Sequence, residues 1–381
     1  MKKINFWEYK KEYKYLKTKG LINKIDNSLY SGEIFYGKKL DEFEKKFLKF
    51  NNSKYGIAVK TGTDALIVAL IASGIKPGDE VITVSLTAIP TVSAIVSVGA
   101  KPVFVDVNDK CLINISKIEK KISKKTKAII PVHLYGNTCE MKSIISISKK
   151  YKLKIIEDCA QSLGANYNKK IVGNFGDFGC YSFYPTKVLG AYGDGGFIVC
   201  KRKKDLDLLR QISFYGLEIN NKNHKKYKSY FANIHGINSR IDNIQATILS
   251  LKLDKLKQWI IKRREIAKIY SKKLLNENKI NNNHVYHLYV LRSKFRNKLK
   301  KYLISKNILT GIHYENPIHK MKGYSKFHNK NNSDLQNSEK LSREIISLPL
   351  HPFIKTSDVN RIINEIKKFN QKNKNELKST F

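Results

Sequence analysis

Between about residues 55 and 200 the apolar positions switch repeatedly between a helical and a strand period. Asp64–Ser73 (DALIVALIAS) is apolar at helical spacing, and Gly74 follows as a stop signal. The turn KPGDE leads into VITV, a short β-branched run that predicts a strand. PTVSAIVSVGA predicts a helix ending at Gly99, KPVFVDV a strand, KIEKKISKK a helix, KAIIPVH a strand, MKSIISISKKY a helix and KLKIIED a strand. FGCYSFY and GGFIVC add two more strand patterns. Strands alternating with helices require crossover connections, so the expected class is α/β, with a large, mixed, mostly parallel sheet covered on both faces. Ligands of such sheets sit beyond the carboxyl ends of the strands, which gives weight to polar motifs found there.

After residue 200 the pattern changes. Residues 219–230 (INNKNHKKYKSY) are polar and read as a loop. From Arg240 to Tyr270 a helical pattern resumes, with Ile241, Ile244, Ile248 and Leu251 on one face, and predicts a long helix leading into a second domain. There VYHLYVLR predicts a strand, KLKKYLISK a helix and DVNRIINEIKKF a final helix. The expected division is a large domain over residues 1–245, including an N-terminal segment, and a smaller C-terminal α+β domain over 246–381. The tail KNKNELKSTF is expected to be disordered.

Composition narrows the function classes. Apolar residues make up 41% of the 381, ordinary for a globular protein. No stretch approaches the roughly 18 consecutive apolar residues of a membrane span. The basic start MKKINFWEYKKEYKYLK has no apolar run behind it, unlike a secretory signal. The net charge of +40 raises nucleic-acid binding as a rival. The lysines are scattered over what read as solvated helix faces, as in KIEKKISKKTK, and form no single block with interleaved aromatics. A protein without nucleic acid as partner is therefore expected, although a basic surface would attract acidic substrates. The five cysteines (Cys111, Cys139, Cys159, Cys180 and Cys200) are odd in number and form no CxxC pair. That argues against a metal site or a disulfide framework and for reduced thiols in the cytoplasm.

Four stretches carry candidate chemistry. Gly62-Thr63-Asp64-Ala65-Leu66 opens the first helix, where free N–H groups and a partial positive charge suit a phosphate; an ordinary N-cap explains the same residues. In Ile156-Glu157-Asp158-Cys159-Ala160-Gln161, Asp158 ends an apolar strand and could hold the proton of a pyridine nitrogen, with Gln161 three residues on; a helix cap is again the alternative. In Ser182-Phe183-Tyr184-Pro185-Thr186-Lys187, a lysine follows a strand among apolar and glycine neighbours. Lysines usually occupy solvated faces, and a desolvated one has a lowered pKa and can attack a carbonyl. A glycine-rich surface loop is the plainer account. Asn238-Ser239-Arg240-Ile241-Asp242 reads locally as no more than a helix start.

Taken in order, GTDAL, VDV, PVHLYG, IEDCAQ, SFYPTK, GAYGDGG, NSRIDNIQA, HLYV and SLPLHP resemble the DegT/DnrJ/EryC1/StrS family of sugar aminotransferases, over residues 25 to 360. Each motif alone is weak or moderate, and their ordered set is strong. The resemblance implies a pyridoxal 5'-phosphate (PLP) enzyme of the aspartate-aminotransferase fold type, working as a homodimer. It implies Lys187 as the Schiff-base lysine, Asp158 at the pyridine nitrogen and Gln161 near the ring hydroxyl. It places the phosphate with Gly62, Thr63 and Ser182, and Asn238 in the partner subunit's site. Two positions depart from the family. Ala88, in SLTAIPT, stands where members often stack an aromatic residue on the ring, and Val188 replaces a common asparagine.

The implied reaction carries an amino group from an amino acid, glutamate in the first instance, to a nucleotide-linked keto-sugar. Relatives with histidine in place of the lysine dehydrate instead, so Lys187 favours transamination. Tyr184 before the proline resembles members acting at carbon 3, which points to a dTDP-3-keto-6-deoxyhexose; a 4-keto sugar is the alternative. His313 and Tyr314, in TGIHYENPIH, match a loop near the substrate in relatives, and a structural, hydrogen-bonded histidine accounts equally for His313.

Overall fold

A computed structural model describes residues 2–219, 227–278, 280–329, 333–374 and 376–381. The predicted alternation builds seven sheet strands. They are β1 (Tyr55–Val59), β2 (Glu80–Val84), β3 (Lys101–Val105), β4 (Thr126–Ile129) and β5 (Lys154–Asp158), then, past the small hairpin of β6 (Asn166–Tyr167) and β7 (Lys170–Ile171), β8 (Phe178–Ser182) and β9 (Gly196–Cys200). Their order is β1-β9-β8-β5-β4-β2-β3. Only β9 runs against its neighbours, so the sheet is mixed and mostly parallel, as expected.

The helix Gly62–Ala72 is apolar on every side because it is covered on every side; Ala65, Val68, Ala69 and Leu70 are fully buried between the sheet and the flanking helices. The opposite face of the sheet is closed by the helix Lys38–Asn51. Its Phe43 and Phe47 pack on Phe183 and Phe197, with the Phe47 and Phe197 rings stacked at 4.1 Å. A second core gathers around a three-stranded antiparallel sheet. This contains β12 (Tyr289–Ser293), β13 (Ile345–Leu348) and β14 (Leu377–Ser379), and is covered by Leu299, Leu303, Ile362 and Ile366. Ile4 joins this core and bridges to Ile308, so the N-terminal segment crosses to the C-terminal part.

Four expectations change. KIEKKISKK forms two single 3-10 turns, Ile115–Lys117 and Glu119–Lys121, because only Ile118 finds a buried site and one apolar anchor does not sustain a helix. The long helix is two, Asn243–Leu253 and Leu256–Tyr270, broken at Asp254–Lys255. The polar segment 219–230 begins and ends in a hairpin, β10 (Leu217–Ile219) with β11 (Tyr227–Ala232), while 220–226 lie outside the described residues. The tail is ordered at its end: Leu377–Ser379 pairs with β12, and the Thr380 hydroxyl donates to the Val290 carbonyl at 3.1 Å. Pairing of its backbone, which composition does not report, overrides the polar sequence.

Because Phe47 is fully buried against four aromatic rings, Phe47→Ala should destabilise the protein by about 3–5 kcal/mol. Urea unfolding followed by circular dichroism checks this; a loss under 1 kcal/mol would show that the aromatic layer does not anchor the sheet.

Candidate active site

The parallel strands end on one edge, and their following residues meet in a cavity of about 320 Å³. Thr61, Gly62 and Thr63 follow β1, Thr87 and Ala88 follow β2, and Val132 and Leu134 follow β4. Asp158, Ala160 and Gln161 come from β5, and Ser182, Tyr184 and Lys187 from β8. Asp194 and Gly195 enter just before the antiparallel β9.

Lys187 is half-buried, and its backbone N–H donates to the Tyr184 carbonyl at 2.8 Å, which curls the lysine back to the sheet edge. Burial pushes its amine down to about 8, while the negative charge of Asp158 pulls the other way. Asp158 is buried, its Oδ2 accepting from the Thr91 hydroxyl at 2.8 Å and its Oδ1 from the Ala160 N–H at 3.1 Å. Gln161 is held at both ends of its amide: Oε1 accepts the Tyr135 N–H at 2.7 Å, and Nε2 donates to the Tyr314 hydroxyl at 3.0 Å.

The phosphate end is built from close approach. Thr61 caps the helix by accepting the Asp64 N–H at 2.9 Å, which leaves the N–H groups of Gly62 and Thr63 without intrahelical acceptors. A Cβ on Gly62 would lie 2.4 Å from Ser182 Cβ and 2.9 Å from its Oγ, so only glycine lets the helix start and the Ser182 hydroxyl face a common ligand. Two helix N–H groups, the Thr63 and Ser182 hydroxyls, a ring-sized cavity, a fixed carboxylate and a desolvated amine are the donor set that PLP requires. The residues present fit the cofactor.

Other predicted residues lie further out. Tyr184 lines the cavity with its side chain 55% exposed, at the mouth. Tyr314 reaches the cavity only through Gln161. His313 is half-buried, stacks on Phe6 at 5.6 Å and bonds Ser347 Oγ through Nδ1 at 2.9 Å. Burial, and then the Lys187 charge, push it down to about 4, so it is neutral. Asn238 is exposed and outside its own chain's cavity, and its neighbour Ser239 ties the segment to Asp64 at 2.8 Å. Thr91 and Tyr135 went unnoticed in the sequence. Pro90 was the available signal for Thr91, since proline in a helix's first turn marks an N-terminus whose polar side chains face the strand ends.

Strand alternation turns Glu157, next to Asp158, to the opposite face. His133, Glu157 and Cys159 offer ligand atoms within 4.8 Å of one another. Glu157 already accepts from His133 Nε2 and from the N–H groups of Gly173, Phe175 and Gly176. Burial alone would raise its carboxyl, but these bonds hold it below the usual range. Nδ1 of His133 accepts the Cys139 N–H, so the ring proton sits on Nε2. The cluster is a saturated hydrogen-bond network that fixes the floor of the site.

Sheet, lysine and carboxylate together define a PLP-dependent aminotransferase of the aspartate-aminotransferase fold type. Residues 17–367 match the DegT/DnrJ/EryC1/StrS aminotransferase family, and the chain belongs to it. It is 41% identical to the dTDP-3-amino-3,6-dideoxy-alpha-D-galactopyranose transaminase of Aneurinibacillus thermoaerophilus, over 91% of this chain and 94% of that one. It is 36% identical to a "pleiotropic regulatory protein" of Geobacillus stearothermophilus, over 94% and 96%. The crystal structure of S. venezuelae DesV in complex with a ketimine intermediate superposes with a TM-score of 0.90 at 31% identity, covering 97% of this chain and 99% of that one.

Two outcomes test the geometry. Gly62→Ala should weaken PLP binding at least about tenfold in titrations of the apoenzyme, because the added methyl group closes the gap to Ser182; unchanged affinity would place the phosphate elsewhere. The rate at which apoenzyme recombines with PLP should rise with pH through about 8, since the neutral amine of Lys187 is the reactive form. A rate that is flat between pH 7 and 9 would count against a desolvated lysine.

Proposed function

We propose that this enzyme moves an amino group from an amino acid, L-glutamate in the first instance, to carbon 3 of a dTDP-linked 3-keto-6-deoxyhexose, with Lys187 and Asp158 as the catalytic residues. The observation that carries the chemistry is a desolvated lysine amine sharing a cavity with a buried, hydrogen-bonded carboxylate. The sugar is supported by the name of the 41% identical relative and by Tyr184 at the cavity mouth.

When bound, PLP supplies an aldehyde that condenses with amines and a ring that draws electrons from the neighbouring carbon. With the cofactor bound, the Lys187 Nζ would take the proton from the donor's α-carbon as general base and return it as general acid. An amine near 8 suits both directions at neutral pH. Asp158 keeps the proton on the ring nitrogen, with Thr91 and Ala160 holding the carboxylate in place. The remaining N–H of Gln161 would be available to the ring hydroxyl. The first-turn N–H groups of Gly62 and Thr63, with the Ser182 hydroxyl, receive the phosphate. Tyr184, His313 and Tyr314 form the substrate side, Tyr314 acting by orienting Gln161.

The reading includes a homodimer with shared sites, a large domain over 1–245 with a small one over 246–381, and a cytoplasmic location. Exposed Tyr30, Phe35, Tyr215 and Phe231 supply apolar surface for a second copy. The exposed Asn238 is free to reach that copy's phosphate site. No described helix is long and apolar enough to cross a membrane.

Purified enzyme should be yellow, lose its visible band with L-glutamate and aminate 3-keto dTDP-sugars. Turnover of 4-keto sugars alone would move the reaction to carbon 4, and a colourless protein whose DNA affinity falls with salt would overturn the enzyme reading. Lys187→Ala should abolish the reaction. Mixing Lys187→Ala with Asn238→Ala chains should restore part of it in heterodimers; no rescue despite demonstrated subunit exchange would refute the shared site.

A further inference from the structure

A second cavity, of about 330 Å³, lies in the C-terminal part and shares no lining residue with the first. Its walls are the end of β12, the helix Gln336–Glu344 and, through Lys374, Glu376 and Lys378, the C-terminal tail. Lys374 has a left-handed backbone, with φ at 47°, which turns the chain off the helix Thr356–Asn373 and back to β12. Arg292 is only 7% exposed, and Glu344 accepts from its Nε and Nη2 at 3.1 and 3.0 Å, while Asp109 meets its Nη1 at 3.2 Å. That leaves Glu376 as the other acid of the lining, against Lys294, Lys340, Lys374 and Lys378. These four lysines are exposed and form no ion pair among the described residues. Strand pairing also sets Lys378 directly opposite Arg292, a pair of like charges that repel. Lysines elsewhere on the surface, such as Lys46, Lys150 and Lys203, stand beside an acid.

Ammonium groups gathered around a concave space favour an anion, and lysine serves phosphate oxygens as a point charge on a flexible stem. A shallower recess of about 340 Å³ shares Lys294, Lys340 and Glu344 with this cavity and runs on past Gln336 and Arg343. Lys294 and Lys340 thus stand between two spaces, each of a size that takes a small-molecule ring. A bare phosphate fills neither. Nucleic acid is bound by a continuous basic stripe, and Glu339, Glu344 and Glu376 interrupt this one. A nucleotide-linked sugar has the matching order, with a diphosphate between two uncharged rings. We propose that the two recesses form a second, non-catalytic site for a nucleoside-diphosphate sugar, with its diphosphate at Lys294 and Lys340. The half-buried ring of Phe295, in the larger recess, gives the base an apolar contact. Lys374 and Lys378 hold the same end from the tail, and Gln336 faces the sugar in the shallower recess. The inference stands on this part of the chain alone, whichever sugar the catalytic cavity accepts.

The test is calorimetric titration of the holoenzyme with dTDP-glucose, which has no keto group to aminate. Wild type should show two binding events per chain, and the double variant Lys294→Glu, Lys340→Glu only one. The rate at which L-glutamate removes the visible band should stay within about twofold of wild type in that variant, because neither lysine lines the catalytic cavity. A second double variant, Lys374→Glu with Lys378→Glu, should weaken the same event at least about tenfold, and it decides by the same readings if the first does not fold. Phe295→Ala should weaken dTDP-glucose and leave inorganic diphosphate unchanged. Inorganic diphosphate that binds wild type as tightly as dTDP-glucose overturns the nucleotide sugar and leaves a bare anion site. Two events that both double variants keep also overturn the proposal, as does a DNA duplex that binds through these lysines and that dTDP-glucose does not displace. A single wild-type event that the variants lose keeps this site and removes the nucleotide from the catalytic cavity; a single event that they retain does the reverse.

Discussion

One amine must be held largely out of water and still within reach of a single fixed negative charge. Burial alone would drive Lys187 to a poor proton carrier, and an adjacent carboxylate alone would lock it as an ammonium; the two effects meet at about 8. Adjacent parallel strands set the arrangement, because β5 and β8 pair in a register that puts Asp158 opposite Cys180, two residues before the strand yields to the lysine loop at Ser182. The loop is held from below. Phe183 is fully buried against Phe43 and Phe47, its carbonyl accepts the Ala191 N–H, and Lys252 donates to the Gly190 carbonyl at 2.6 Å. The N-terminal helix Lys38–Asn51 and the helix Asn243–Leu253 thus position the lysine without touching it.

The carboxylate is kept in place from two sides. Above, Thr91 and Ala160 each engage one oxygen of Asp158. Below, Glu157 gathers four donors and ties β5 to the loop 173–176 and to His133. Two adjacent acids on one strand face opposite ways, because alternation sends one into the cavity and the other into the scaffold. A buried carboxylate with every lone pair engaged costs little to keep ionised and is hard to move.

Much of this was legible because it is local. Gly62, Asp158, Ser182 and Lys187 each sit at a strand end or a helix start, and those ends are visible in the periodicity. What escaped is what depends on the assembled fold. Thr91 reaches Asp158 across 67 positions, and Tyr135 meets Gln161 across 26. Arg263 looks like one more cation on a basic helix until Tyr286, His287 and Leu350 close over it. Asp106, in the VDV motif, suggested nothing alone; in the structure it caps the helix Gln336–Glu344, accepting from the Asn337 and Ser338 N–H groups at 3.0 and 2.8 Å. The tail misled because the disorder signal reads side chains, while β12 offered its backbone an edge.

These distant contacts bear on how ligands reach the lysine. The C-terminal part is fastened to the sheet's carboxyl edge at several buried points: Asp106 with Ser338, Ser85 with His319 at 2.5 Å, Gln161 with Tyr314, and Tyr135 with the His313 carbonyl. A rigid opening of the two parts would break all of them together, leaving buried polar groups unpaired, each at a cost of about 1–3 kcal/mol. The N-terminal segment seals another side, with Phe6 on His313 and Trp7 on His287. Entry therefore falls to the rim where the cavity-lining residues are exposed, at Pro90, Tyr184 and Asp194. Tyr184 is also the position at which the sequence resembles members acting at carbon 3, so the proposed choice of sugar can be tested at an exposed residue of the cavity mouth.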